Sequence, residues 1–363
     1  MAHTIKELAE AVGGTAVGAT DLCVSGAAEP AAASATDIAL ALKPAFAATL
    51  AQGGARAAIL WAEADWQAYG LAAAILVTRP RLAMAGLTAL FDRGQGYTAG
   101  IHPSAIVDPE ARIGRNVAIG AMSYVAAGAD IGDDTVIGPQ CYIGTEARLG
   151  TGAVLHSGVR IMARVRIGAR FRASPGVVVG ADGHSFVTPE ESSVEQARAS
   201  LGTDVTAKGQ TWQRIHSLGA VFIGDDVELG ANTTVDAGTI RPTEIGNGVK
   251  VDNLCQIGHN VRIGNDCLFS AQTGVAGSTV IGNNVILGGH VGVSDNITVG
   301  DNVVVGGGSK ILSKVPAGRV MLGYPATKMD QNLEIYKLQR RLPRLFEQVT
   351  ALQKAVFKTG ENE

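Results

Sequence analysis

Aromatic residues make up only 5% of this chain, so aliphatic and small side chains must fill its interior. Its four cysteines, Cys23, Cys141, Cys255 and Cys267, show neither a CxxC pair nor zinc-ligand spacing. No disulfide framework is implied. The net charge of −3 gives no excess of either sign to attract nucleic acid or a strongly anionic surface. The start, Met1-Ala2-His3-Thr4-Ile5-Lys6, lacks a basic segment followed by an apolar one. No uncharged apolar run is long enough to span a bilayer, and the Ala-rich stretch Leu71–Val77 is far too short. These absences point to a soluble cytoplasmic protein with no transmembrane segment and no nucleic-acid partner.

Glycine is abundant, with 47 residues in 363, and a comb of aliphatic residues runs beside it. In steps of six it passes Ile101, Val107, Ile113, Ile119, Val125, Ile131, Ile137, Ile143, Leu149, Leu155, Ile161, Ile167, Ala173 and Val179. It resumes at Ile223, Leu229 and Val235, skips ten residues to Ile245, and continues through Val251, Ile257, Ile263, Phe269 and Val275 to Ile311. A period of six fits neither an amphipathic helix nor a half-buried strand. It fits a parallel β-helix of hexapeptide repeats, each aliphatic pointing inward from one side of a triangular coil of about 18 residues. Small residues beside the aliphatics, as in Ile113-Gly114 and Ile131-Gly132, are expected to permit the corners.

Residues 1 to about 100 lack the comb and read as a separate α/β domain. Ile5, Leu8, Ala9 and Val12 share one helical face, stopped by Gly13-Gly14. Ala57–Trp61 and Ala73–Val77 read as buried strands and Leu82–Phe91 as a helix after Pro80. The β-helix spans 101 to about 317. His156, after the inward Leu155, reads as a solvated wall residue. The comb is lost between Gly180 and Val221, a long excursion of the kind that builds pockets on solenoids, and Asp236–Glu244 forms a smaller loop. Residues 318–363 close the chain as helices, with Pro343 expected to kink or split them. Lys337, Arg340, Arg341 and Arg344 form a basic cluster there, read as either a solvated face or a partner-binding one.

A fold of this kind does not fix a function. Among the seven histidines, His259 lies two residues past the inward Ile257, where its ring points out near a corner. One coil further stands Gly277, whose N–H falls beside the imidazole at the inter-strand spacing of roughly 4.8 Å. A base titrating near neutrality next to a hydrogen-bond donor is what acyl transfer needs. Asp252 is positioned to support the imidazole if the coil brings the two together. A zinc reading fails, because His259 and His290 are not separated by a whole number of coils. The first domain also lacks the Gly-rich phosphate loop of a sugar nucleotidyltransferase. A scaffold without enzymatic activity stays open on these residues alone.

The chain resembles the UDP-3-O-acylglucosamine N-acyltransferases of lipid A biosynthesis along essentially its whole length. The likeness rests on Ile5-Lys6-Glu7-Leu8-Ala9, His102-Pro103-Ser104-Ala105, Gly180-Ala181-Asp182-Gly183, the run Ile223–Asp236, and Asp252-Asn253 with Gln256-Ile257-Gly258-His259-Asn260. The resemblance implies a left-handed parallel β-helix, a uridine-binding first domain, and a homotrimer with sites between subunits. It implies transfer of an (R)-3-hydroxyacyl chain from acyl carrier protein to the 2-amino group of UDP-3-O-acyl-glucosamine, with no metal or other cofactor. His259 then matches the general base, Asp252 its helper, and Gly277 the oxyanion amide, with Asn253 and Gln256 binding substrate. Asn296 stands where a second histidine is common, so no cationic role carries over. Leu40 and Phe46 match the uracil-sandwiching aromatics, with Lys43 in place of an Asn, so one stacking face is lost. Ala237 replaces a common Arg, and the excursion after Phe186 is longer than usual. Lys337, Arg340, Arg341 and Arg344 are assigned to the acidic carrier protein. A sibling acting on a hydroxyl or on another nucleotide-linked amino sugar remains an alternative.

Overall fold

Residues 2–357 are described by the computed structural model, in two units that part between Gly96 and Tyr97. In the first unit the helix Ile5–Val12 begins with a reciprocal cap: Thr4 Oγ1 accepts from Glu7 N–H at 3.2 Å, and the Glu7 carboxylate accepts from Thr4 N–H at 2.8 Å. Gly13, at φ 65°, ends it in the left-handed region. Ile5, Leu8, Ala9 and Val12 are buried with Ile38, Ile59, Ile75 and Leu87. The sheet orders Thr15–Gly18, Ala73–Val77, Ala57–Trp61, Asp37–Leu40 and Gly26–Ala28, with the first pair antiparallel and the rest parallel. A later, longer helix runs Pro80–Phe91, its proline at the first turn where no N–H is needed.

The second unit carries the solenoid. Among the described residues its strands form three parallel sheets of nine, eleven and ten members, nearly all of two or three residues. Ile113 pairs with Ile131 and Ile131 with Leu149, so successive coils stack in register. A second inward comb lies two residues before the first, at positions such as Val117, Cys141, Val165, Val227, Cys255 and Val285, all buried. The cysteines of this comb are wall filling: Cys141 Sγ donates to the His156 carbonyl at 3.1 Å, Cys255 Sγ to that of Ser270 at 3.3 Å, and Cys267 Sγ to that of Gly282 at 3.2 Å. Thr233 and Thr279 do the same with their hydroxyls. Emptying one layer, as in Ile257→Ala, removes a fully buried side chain and costs about 2–5 kcal/mol.

The corners differ from the expectation. The left-handed residue sits three positions past the inward aliphatic, at Asn116, Met122, Asp134 and Gln140, all with φ between 56° and 61°. The glycines beside the aliphatics answer a different demand. A Cβ on Gly132 would lie 2.6 Å from Thr151 N on the next coil, so they are small because adjacent coils touch there.

The excursion is not structureless. Phe186–Val187 pairs antiparallel with Gln213–Arg214, and between them the helix Ser193–Ser200 has its own Ser192/Glu195 cap. The solenoid also outlasts its expected end, since Val320–Met321 pairs with Val304–Val305. Met329–Phe357 is then one helix passing through Pro343 without a split. The proline leaves the Gln339 carbonyl without its usual donor, a loss that water can make good on a helix exposed from Met329 to Val356. No helix among the described residues is long and apolar enough to cross a membrane.

Candidate active site

His259 follows the strand Gln256–Ile257, which lies between Thr234–Ala237 and Gly274–Val275 in the ten-stranded sheet. Inward Ile257 and Val261 anchor the turn on either side, and the half-buried imidazole emerges from the corner. One coil on, Gly277 presents a bare Cα to the ring. A Cβ there would lie 2.8 Å from both Nε2 and Cε1 of His259. Among the described residues no acceptor takes the Gly277 N–H, while its carbonyl accepts from Asn296 N–H at 3.1 Å. The arrangement has an imidazole, a free amide donor beside it, and no side chain between them.

Both interruptions of the comb converge on this corner. From the long excursion, Gly183 packs on His259 so tightly that a Cβ would fall 2.7 Å from that of the histidine, and its N–H donates to Ser217 Oγ at 2.9 Å. From the short loop, Thr239 and Arg241 hold Asn260, the residue after His259. Gln256 Nε2 donates to Asp236 Oδ2 at 2.9 Å, and Gln256 Oε1 accepts from Thr234 Oγ1. Burial pushes the Asp236 carboxyl above its ordinary range, while the Gln256 amide and the charges of His259 and His184 pull it back. Asp236, Gly183 and His184 were not singled out as site residues. The signal was present in the sequence: a break in a strict repeat marks where the wall is rebuilt around something.

The remaining candidates fall in several places. Asn296 stands at the same edge, its N–H on Gly277 and its Nδ2 donating to Asp295 Oδ2 at 3.0 Å. Asp295 also pairs with Arg198 of the excursion helix at 3.1 Å, tying that helix to the corner. Asp252 lies elsewhere in the chain. Its Oδ1 accepts from Asn253 N–H at 2.7 Å and its Oδ2 from Ala271 N–H at 3.1 Å. With Asn253, Arg172 and Lys250 it lines a separate cleft of about 480 Å³. A single coil therefore does not bring Asp252 to His259, because they sit on different corners of the triangle. The excursion walls its own apolar cleft of about 590 Å³ with His184, Phe186, Val194, Arg198 and Trp212. His156 is half-buried near Tyr97, ring centroids 6.3 Å apart, rather than fully solvated. In the first unit Phe46 is 54% exposed, Lys43 is exposed, and Leu40 is half-buried in its strand. Lys337, Arg340, Arg341 and Arg344 all lie exposed on the last helix, and none forms an ion pair among the described residues.

Comparison with known proteins agrees with this architecture. The family model described as bacterial transferase hexapeptide (six repeats) matches residues 110–145 and 242–277. The hexapeptide repeat of succinyl-transferase matches 129–163, 220–253 and 278–313. A UDP-3-O-acylglucosamine N-acyltransferase of Ruegeria pomeroyi is 66% identical over 363 residues, covering 100% of both chains. One from Paracoccus denitrificans is 60% identical, covering 99% of this chain and 98% of its own. The crystal structure of an Arabidopsis UDP-N-acetylglucosamine acyltransferase superposes with a TM-score of 0.51 at 21% identity, covering 62% of this chain and 71% of that one. The fold is thus a left-handed parallel β-helix in a mainly β chain, and the expected family resemblance is borne out. The chain is an acyltransferase that belongs to the UDP-3-O-acylglucosamine N-acyltransferase family.

Proposed function

We propose that the chain moves an (R)-3-hydroxyacyl group from an acyl carrier protein thioester to the 2-amino group of UDP-3-O-acyl-glucosamine, with His259 as general base. The observation that carries this reading is the unhindered approach of the His259 ring to Gly277, whose N–H is free. As the amine nitrogen attacks the thioester carbon, a C–N bond forms and the imidazole takes the amine proton. The carbonyl oxygen becomes an oxyanion that the Gly277 N–H can receive. Collapse breaks the C–S bond, and the imidazolium returns its proton to the departing thiolate. Every step is supplied by the chain's own groups, so no cofactor enters the scheme. Asn253, Gln256 and Asn296 are assigned to substrate binding, and Phe46, Lys43 and Leu40 to uridine. A cytoplasmic site of action belongs to the same reading.

A homotrimer is part of the proposal, and two observations support association. Ile335, Leu338, Leu342, Leu345, Val349 and Leu352 alternate in steps of three and four along the last helix, and all are at least 41% exposed. That is the seam of a coiled coil. Asp252, on another corner of its own coil, meets a His259 only if a neighbouring copy supplies it. The helix argues that copies associate, and the number three comes with the family.

The experiment that tests the reading varies both substrates. UDP-3-O-acyl-glucosamine with a free 2-amine should accept 3-hydroxyacyl groups from carrier protein. Its 2-hydroxyl counterpart should not, and coenzyme A thioesters should serve poorly. Preference for the hydroxyl acceptor would overturn the assignment.

A further inference from the structure

We propose that Asn260, clamped by the short Asp236–Glu244 loop, fixes the tautomer of His259 so that Nε2 is the atom that takes the substrate proton. The proposal rests on His259 being the base. His259 Nδ1 lies 3.0 Å from Asn260 Oδ1, a contact that by itself leaves open which atom carries the hydrogen. The surroundings of the carboxamide decide it. Thr239 N–H, which can only donate, points at Oδ1 from 3.1 Å. The Arg241 carbonyl, which can only accept, lies 3.0 Å from Nδ2. Turning the amide over would set N–H against N–H and oxygen against oxygen, so its orientation is fixed.

The clamp is tight. Thr239 Oγ1 adds a contact to Oδ1 at 3.0 Å, and Asn260 N–H donates to Thr243 Oγ1 at 2.9 Å. Asn260 is only 7% exposed and sits at φ 61°, where asparagine is better tolerated than most residues. Oδ1 has no proton to give, so Nδ1 must carry one. The neutral ring then keeps its lone pair on Nε2, the atom on the edge that meets Gly277. The opposite tautomer would face two acceptors against each other and leave Nε2 already protonated. The step of ten between Val235 and Ile245 thus acquires a purpose: its extra residues reach around to hold Asn260. Asn260, Thr239 and Arg241 are positioning residues acting through His259.

The test uses the intact chain labelled with ¹⁵N-histidine, with His259→Gln to assign the signals. Above the titration of the ring, two-bond proton–nitrogen spectra should show Nδ1 protonated and Nε2 bare, and the reverse pattern would overturn the proposal. Kinetics give a second readout. Asn260→Ala should lower kcat by more than about tenfold with KM little changed. Asn260→Asp keeps an acceptor at Nδ1 and adds charge, so the acid limb of the kcat/KM profile should move to higher pH. The other titratable groups coupled at this corner, Asp236 and His184, are the same in both variants. A folded Asn260→Ala with undiminished kcat would also overturn the proposal. Full activity in His259→Ala would remove the base reading instead, a result on which the wild-type spectrum does not depend.

Discussion

The ring of His259 and the α-carbon of Gly277 occupy neighbouring coils so closely that one added methyl group would sit 2.8 Å from Nε2. The ring is the free end of a side chain, so it can swing away while the wall stays intact. Gly277→Ala should therefore melt close to wild type but lose more than about tenfold in kcat through misplacement of the proposed base. Thermal melts beside steady-state kinetics check this. A large fall in melting temperature would mean that the glycine serves the wall instead.

Asp236 predicts a pH signature. Burial raises its carboxyl above the ordinary value of 3.8, so the native state holds that proton after the unfolded chain has released it. Stability must then fall as pH climbs from the unfolded value through the raised one. Asp236→Asn removes this loss. The variant should melt above wild type at neutral pH, the advantage shrinking as pH drops below the ordinary carboxylate range, while activity declines. Melting temperature against pH for the two proteins is the measurement.

The exposed seam on Met329–Phe357 predicts that single charges there weaken assembly. Leu345→Asp places a carboxylate where a neighbouring copy's apolar row should pack. Sedimentation should show a concentration-dependent shift to smaller species, whereas an exposed substitution such as Glu347→Gln should change nothing. An unaltered mass in Leu345→Asp would assign the stripe to another role.

Lys337, Arg340, Arg341 and Arg344 occupy positions of that helix outside the seam, so they stay available in an assembled bundle. If they meet an acidic carrier protein, the affinity of a 3-to-1 mixture should fall steeply with added salt, since contacts of this kind are screened. Replacing the four by Gln should weaken binding at low salt and flatten that dependence. Salt-insensitive binding would count against them.

Much of this was legible because the solenoid repeats. An inward residue every sixth position located the strands from Ile101 to Ile311, and counting one coil forward from His259 found Gly277. The second inward comb escaped notice because Val, Ser, Thr, Ala and Cys share it, so no single residue type marks the period. Corners were misread because Met122, Gln140 and Arg164 take the left-handed conformation as readily here as Asn116, held by neighbouring coils rather than by their own preference. Asp252 looked like a partner for His259 in sequence, yet seven residues carry the chain past a corner. Asn260 and Asp236 became visible only once the two breaks in the comb were seen to fold onto one edge.

The most direct measurement is transfer of a 3-hydroxyacyl chain from carrier protein to UDP-3-O-acyl-glucosamine by wild type and by His259→Ala. The wild-type chain should turn over, and the variant, with an unchanged melting temperature, should be slower by about 10²-fold or more. Equal rates would contradict the assignment of the base. A folded wild-type chain with no transfer to this acceptor would contradict the proposed substrate, and would turn attention to Leu40, Lys43 and Asn296.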